Sequence, residues 1–275
     1  MLYNKLLKIK HFFSSKILQD SNLKILNQHG LEGQQIVKAF LKTLKGKNTI
    51  HEDQLFKKLN QIRSDLFTDN RKISFKEIGS TAEMTVAEVV SRAASPEIWT
   101  RFFYHLTKSK NINSVLEIGT NLGVSGQYFL KALEGKQNTK FVTLEGVKGL
   151  CDIAQQSFKY ICAEKNFELV HGLYDETLIN ISNKNIHFDL LFFDGNHRYD
   201  ATLKYFELLK NNIAVRALVI FDDIHWSLGM RKAWQEIIAQ KGVVFSINFF
   251  KLGIIVFDSK QSHPTKDHFQ LFLSL

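Results

Sequence analysis

Two cysteines and two prolines in 275 residues are the first things this chain lacks. Cys151 and Cys162 lie eleven residues apart on one expected helix, about 16 Å along its axis, which is too far for a bridge. A disulfide framework is therefore excluded, and a reducing, cytoplasmic setting is expected. Scarce proline with 44% apolar residues excludes a disordered chain. No run of about 18 apolar residues occurs, so no membrane span is expected. The lysines near the N-terminus are not followed by a clean apolar block, so a cleaved signal is not expected either. Internal repeats and low-complexity tracts are missing. So is the dinucleotide spacing G-x-G-x-x-G, which argues against a nicotinamide enzyme.

What is present is phenylalanine, 23 in all, and a basic balance of +9. The charge is uneven. Residues 1–75 hold 14 of the 36 lysines and arginines and 6 of the 27 acidic residues, so +8 of the +9 sits there. The pI thus belongs to the N-terminal region and disfavours nucleic acid as the partner of the rest. Residues 1–19 pattern as a basic amphipathic helix, with Leu6, Leu7, Ile9, Phe13 and Ile17 against Lys5, Lys8, Lys10 and Lys16. Further helices are predicted over 33–44 and 52–67. The region 1–80 reads as a helical bundle packed on the main domain or as a basic surface for a membrane face, an acidic partner or nucleic acid. Residues 68–80 read as a linker, followed by short helices over 85–93 and 96–107.

From Ser114 onward apolar, β-branched runs alternate with helical patterns. Strands are predicted over 115–119, 141–145, 167–171, 188–194, 218–222, 243–248 and 254–257, with helices over 124–134, 148–164, 199–211 and 228–240. The last two strands are too close for a parallel crossover and should form an antiparallel hairpin. The expectation for 81–275 is an α/β domain: a doubly wound, mostly parallel, seven-stranded sheet.

The first strand runs into Glu117-Ile118-Gly119-Thr120-Asn121-Leu122-Gly123-Val124-Ser125. A strand, a glycine turn and a helix make a cradle in which the backbone can approach a ligand. Glu117 beside the turn repels a pyrophosphate and favours an ammonium group or ribose hydroxyls. Glu145 ends the second strand, where a carboxylate can accept both hydrogen bonds of a ribose diol. Alternatively it is a charge placed at a helix N-terminus.

Two more strand ends carry carboxylates: Asp194 in Phe193-Asp194-Gly195-Asn196-His197-Arg198-Tyr199, and Asp222-Asp223 in Phe221-Asp222-Asp223-Ile224-His225-Trp226. Three converging carboxylates repel unless a cation or protons intervene. Oxygen ligation suits Mg²⁺, Ca²⁺ or Mn²⁺, so Asp194, Asp222 and Asp223 are candidate metal ligands; the alternative is helix capping without metal. His197 is the candidate general base, with His225 the weaker one. Arg198, Tyr199 and Trp226 could line an acceptor pocket.

The runs VLEIGTNLGVSG, VTLEG, FDLLFFDGNHRYDATLKYF and FDDIHWSLGMRKAW resemble the class I S-adenosylmethionine-dependent methyltransferases over roughly residues 86–258. The closest resemblance is to an uncharacterised bacterial branch with DGNHRY and DDIHWS signatures. The resemblance implies that Glu117, Gly119, Thr120, Gly123, Ser125 and Glu145 contact the cofactor, with Gly172 near its adenine and Asp194 beside it. Metal-dependent catechol-type and macrolide-sugar O-methyltransferases are similar at the aspartates. By that resemblance Asp194, Asp222 and Asp223 would hold a divalent cation, Mg²⁺ foremost, while His197 with Asp194 removes the acceptor's proton. The implied reaction is O-methylation of a small molecule with neighbouring hydroxyls. An N- or C-acceptor without metal, or a retired fold serving only to bind partners, are the rival readings. A homo-oligomer is left open.

Overall fold

The computed structural model describes residues 2–274. In chain order it runs α1 (Leu2–Leu26), α2 (Gly30–Lys45), α3 (Ile50–Leu66), β1 (Lys72–Ser74), β2 (Glu83–Thr85), α4 (Val86–Ala93), α5 (Glu97–Thr107), β3 (Ser114–Ile118), α6 (Val124–Leu133), β4 (Lys140–Glu145), α7 (Lys148–Ile161), β5 (Glu168–His171) and α8 (Tyr174–Ser182). It continues with β6 (Phe188–Phe193), α9 (Tyr199–Leu209), β7 (Ile213–Phe221), α10 (Leu228–Ile238), β8 (Val243–Asn248), β9 (Gly253–Phe257) and β10 (His268–Gln270). The chain divides into two compact units, residues 39–180 and residues 1–38 with 181–275.

In the unit of residues 39–180, β3, β4 and β5 are parallel. The register sets Ile118 beside Leu144 and Glu145 beside His171, so the strand ends come level. α3 and α4 each begin with a reciprocal cap, Thr49 with Glu52 and Thr85 with Glu88, which satisfies backbone donors that a helix start leaves free. The core is a chain of phenyl rings. Phe103 stacks on Phe129 at 5.5 Å, Phe129 meets Phe141, Phe141 meets Phe158, and Phe158 meets Phe167 at 5.2 Å. Residues 68–80 are more than a linker. They contain β1 and a 3₁₀ turn over Lys76–Ile78, and β1 pairs antiparallel with β2. The alternation Lys72-Ile73-Ser74 turns Ile73 into the core and its neighbours outward.

In the other unit, β6 is parallel to β7, β7 is antiparallel to β9, and β9 is antiparallel to β8. The predicted hairpin is therefore present. An eighth large-sheet strand, β10, adds parallel to β8 and was not predicted; three residues are too short for a period-2 signal. α8 also escaped prediction. α1 is longer than the predicted 1–19 and lies on β10: Asn22 Nδ2 donates to the Gln270 carbonyl at 2.8 Å, and His11 Nε2 lies 3.2 Å from the Leu271 carbonyl. The core joins Phe193 stacked on Phe221 at 4.8 Å with Phe206, Phe257 and Trp234. Among the described residues the chain is thus mixed α/β with mostly parallel large-sheet strands, as predicted, though with eight of them. Among the described residues no helix is long and apolar enough to cross a membrane.

Phe158 also limits α6. A Cβ added at Gly126 would lie 2.6 Å from Phe158 Cζ and 3.1 Å from Glu117 Oε2. Gly126→Ala should destabilise the fold by about 1–3 kcal/mol through overpacking. Urea unfolding would measure this, and a midpoint equal to that of the unchanged chain would contradict the packing.

Candidate cofactor and acceptor sites

The glycine turn follows β3 in the first unit. Gly119 has φ 106° and Gly123 has φ 78°, conformations that a side chain disfavours. The amides of Gly119 and Thr120 both donate to the Leu144 carbonyl at 3.0 Å, and Gly123 N donates to the Thr120 carbonyl at 2.8 Å. The turn is thereby tied to the end of β4. The Glu145 carboxylate accepts from Asn121 N at 2.8 Å and from Val147 N at 3.0 Å. It is 6% exposed, and burial pushes its pKa up against these amide bonds, which lower it. Glu145 thus lies against the turn, at the end of its strand, as predicted.

Glu117 has a different surrounding from the one its position in sequence suggests. Its side chain is fully enclosed. Ser125 Oγ donates to Oε1 at 2.5 Å and Thr143 Oγ1 donates to Oε2 at 2.6 Å. Thr120 Oγ1 lies 2.5 Å from Thr143 Oγ1, extending the chain of hydroxyls. Glu117, Thr120 and Ser125 therefore brace the turn from beneath. The lining hydroxyls could have suggested this, but Thr143 arrives from another strand.

Gly172, with φ 144°, donates its amide to the Glu145 carbonyl at 2.9 Å. The 3₁₀ turn after β1 packs at the same edge. Ile78 Cγ2 would lie 2.9 Å from a Cβ at Gly146, and Glu77 Oε2 accepts from Lys148 N at 2.6 Å. His171 Nε2 is 3.6 Å from the same Glu77 oxygen. These wall residues are not legible in the sequence because they lie far upstream of the groups they touch, 71 positions for Glu77 and Lys148.

The aspartates lie in the second unit. Asp222 N donates to the Phe193 carbonyl at 2.9 Å, which sets the end of β7 beside the end of β6. Asp194 follows β6, and its carboxyl group faces the charge of Asp222. Burial, and then the Asp222 charge, push the Asp194 carboxyl well above the usual carboxylate range. His197 Nε2 is 3.6 Å from Asp194 Oδ1. Asp194, His197, Asp222 and Asp223 are thus brought together.

A residue absent from the sequence reading completes the cluster. Lys251 Nζ donates to both oxygens of Asp222 at 2.8 Å and to Asp223 Oδ1 at 3.2 Å. Burial opposes its charge, but the carboxylates of Asp222 and Asp223 outweigh burial and push its pKa up. Lys251 belongs to the turn between β8 and β9. Its carbonyl accepts from Ile224 N at 3.1 Å. The register Phe221 to Gly253 sets that turn beside Asp222.

As arranged, these side chains do not fit a divalent ion. Both Asp222 oxygens are engaged by the ammonium, and Oδ1 also accepts from Asp223 N at 2.8 Å. Among the described residues no group of three or more His, Cys, Asp or Glu side chains is disposed to hold a metal. His225 is stacked on Phe250 at 4.6 Å, and burial first of all lowers its pKa to about 4, so it is neutral near pH 7. Tyr199 Oη donates to Glu236 at 2.8 Å, and Trp226 is 70% exposed.

Burial, the largest cause, pushes the Glu117 pKa up to about 7 from an ordinary 4.5. Between those values the folded chain retains a proton that the unfolded chain has released, so stability falls as pH rises through that window. The contribution is roughly 3 kcal/mol. Glu117→Gln should remove this slope while retaining both hydroxyl contacts. Denaturant midpoints followed from about pH 5 to about pH 7.5 would measure the change, and parallel profiles for the two proteins would count against it.

Residues 116–224 match a family model described as a methyltransferase domain. A search of curated proteins finds no match. Among solved structures the chain is similar to the Podospora anserina methyltransferase PaMTH1 bound to S-adenosylhomocysteine, at 14% identity and TM-score 0.54, over 74% of this chain and 96% of that one. An O-methyltransferase from Bacillus cereus in complex with S-adenosylhomocysteine is similar at 20% identity and TM-score 0.54, over 73% and 90%. The O-methyltransferase TomG from Streptomyces achromogenes, in complex with S-adenosylmethionine, is similar at 18% identity and TM-score 0.51, over 60% and 82%. This chain has the fold of these methyltransferases, with the methyltransferase-domain match spanning the glycine turn, Glu145 and the three aspartates.

Proposed function

We propose that this chain transfers the methyl group of S-adenosylmethionine to an oxygen of a small molecule with neighbouring hydroxyls. The observation that carries the reading is Glu145, a carboxylate at the end of β4 held against the glycine turn by the Asn121 amide. The methyltransferase-domain match over residues 116–224 and the cofactor complexes among similar folds support the same cofactor. Its sulfonium carries a methyl group already activated for transfer, so the protein's task is binding, alignment and proton removal.

In this reading Gly119 and Gly123 let the backbone approach the methionine part, and Glu145 accepts the ribose hydroxyls. Gly172 leaves room at the adenine end. Glu117 contributes by bracing the turn through Ser125 and Thr143. At the aspartate cluster, an acceptor with two adjacent hydroxyls meets acceptor oxygens on Asp194 and Asp223 and a donor on Lys251. His197, 3.6 Å from Asp194, takes the proton and is oriented by that carboxyl group. A divalent ion has no part in this reading, because the lysine ammonium already engages both oxygens of Asp222.

Calorimetry with S-adenosylhomocysteine tests the cofactor. The intact chain should bind it in the micromolar range, and Glu145→Ala should weaken binding by about 10–100-fold, the loss of hydrogen bonds to a charged acceptor. Lack of binding by the unchanged chain would overturn the proposal. Methyl transfer to a panel of catechols and vicinal diols tests the base: His197→Ala should lower kcat by about 100-fold or more with cofactor affinity unchanged. An undiminished kcat would assign the proton transfer elsewhere.

A further inference from the structure

We propose that Lys251 is a built-in cation of the acceptor site, occupying the place that a divalent ion takes in metal-assisted oxygen transfer. The inference rests on the methyltransferase reading. Its carrying observation is the ammonium of Lys251 bonded to Asp222 through both carboxylate oxygens and to Asp223 through Oδ1. Two carboxylates at adjacent strand-end positions would repel each other without a positive charge between them. Lys251 supplies that charge covalently, from a turn whose carbonyl is fixed by Ile224 N. The 3.2 Å bond to Asp223 is the longest of the three, and it is the one an incoming hydroxyl can replace. The ammonium then donates to the acceptor oxygen and favours its deprotonated form, one of the tasks of a divalent ion, while offering only one charge and no second coordination position.

Manganese binding followed by electron paramagnetic resonance tests this without needing the acceptor. The intact chain should leave Mn²⁺ free at micromolar concentrations. Lys251→Ala, which exposes the two carboxylates, should bind Mn²⁺ at least about tenfold more tightly. Adding Asp222→Asn to Lys251→Ala should abolish that gain. Lys251→Arg keeps the charge and should exclude Mn²⁺ like the intact chain, which covers the case in which the alanine variant does not fold. Tight Mn²⁺ binding by the intact chain that disappears in Asp222→Asn would overturn the proposal, as would a folded alanine variant with no gain. S-adenosylhomocysteine calorimetry on the same samples separates the two claims. Its failure in the intact chain sinks the cofactor reading, whereas retained binding beside a metal-binding native site sinks only the role of Lys251.

A different observation supports a second proposal: the outward face of α1 is a docking surface for an anionic lipid bilayer. Up to Asp20, α1 is inverted for a helix on a protein surface, although its last turns bury Leu23 and Leu26 in the ordinary way. Its inward face buries His11, Ser15 and Gln19, whereas Leu6, Phe13 and Ile17 are 58%, 60% and 79% exposed, and Ile9 is exposed beside them. The spacing 6, 9, 13, 17 makes one stripe along three turns, ending at Asp20. Lys10 and Lys16 flank it at helical angles on either side. An apolar stripe between lysines suits the interface of an anionic bilayer, where the stripe enters the acyl boundary and the ammonium groups meet headgroups. A second copy fits less well, since it would bring the same lysines together with one aspartate to offset them.

Sedimentation of the intact chain with vesicles of phosphatidylcholine and phosphatidylglycerol should show binding that vesicles of phosphatidylcholine alone do not give. Phe13→Glu with Ile17→Glu should reduce it by more than about tenfold. No binding to the anionic vesicles, or equal binding by the double variant, would overturn the proposal. A dimer in lipid-free solution that the double variant dissociates would also overturn it, by assigning the face to a second copy.

Discussion

A carboxylate cut off from water shapes the glycine turn. Glu117 is enclosed between β3, β4 and the start of α6, where the hydroxyls of Ser125 and Thr143 bond to it. A buried carboxyl group is costly unless bonded or protonated, so those elements must keep their spacing. The Thr143 hydroxyl passes the constraint to Thr120 within the turn. The Leu144 carbonyl takes two turn amides, and Glu145 then takes the next one from Asn121. The proposed ribose acceptor is thus aimed by a buried network that begins two residues away, at Thr143. Phe158 supports the same arrangement from the apolar side, leaving no room for a side chain at Gly126.

The aspartate cluster solves a related electrostatic problem differently. Asp194, Asp222 and Asp223 follow two parallel strands, so their backbones converge whatever their charges prefer. Charge repulsion there is relieved in two ways at once. Asp194 is held above the usual carboxylate range by burial and by Asp222, and Lys251 places an ammonium on Asp222 and Asp223. A fixed lysine and a bound metal are alternative answers to one excess of negative charge, and Lys251 is contributed by the antiparallel turn next to β7.

Much of the fold was legible because its signals are local. The apolar run before Gly119, the glycine spacing, and the short gap between the last two strands each occupy fewer than about fifteen residues. They identified β3, α6 and the β8–β9 hairpin. The same locality placed Glu145, Asp194 and Asp222 at strand ends. Short elements carry too little pattern, so β1, β2 and β10 are not legible in the sequence and residues 68–80 read there as a linker. Glu117 was assigned toward the ligand because its nearest neighbours in sequence are the glycines. The groups that enclose it are Ser125, eight residues on, and Thr143, on another strand.

By itself, the sequence determined which backbone conformations and which strand-end chemistries this chain could have. Glycines at 119 and 123 permit positive φ, alternation and apolar runs choose strands, and acidic residues after those runs must gather at a sheet edge. Only the tertiary structure decided which carboxylates meet solvent and which meet a partner. It turned Glu117 inward, left Glu145 at the turn, and brought the Lys251 ammonium from a hairpin turn to Asp222. The physical reason is that hydrogen-bond partners and counter-charges act through space over about 3 Å, whereas Lys251 and Asp222 are 29 positions apart in the chain and Glu77 and Lys148 are 71 apart.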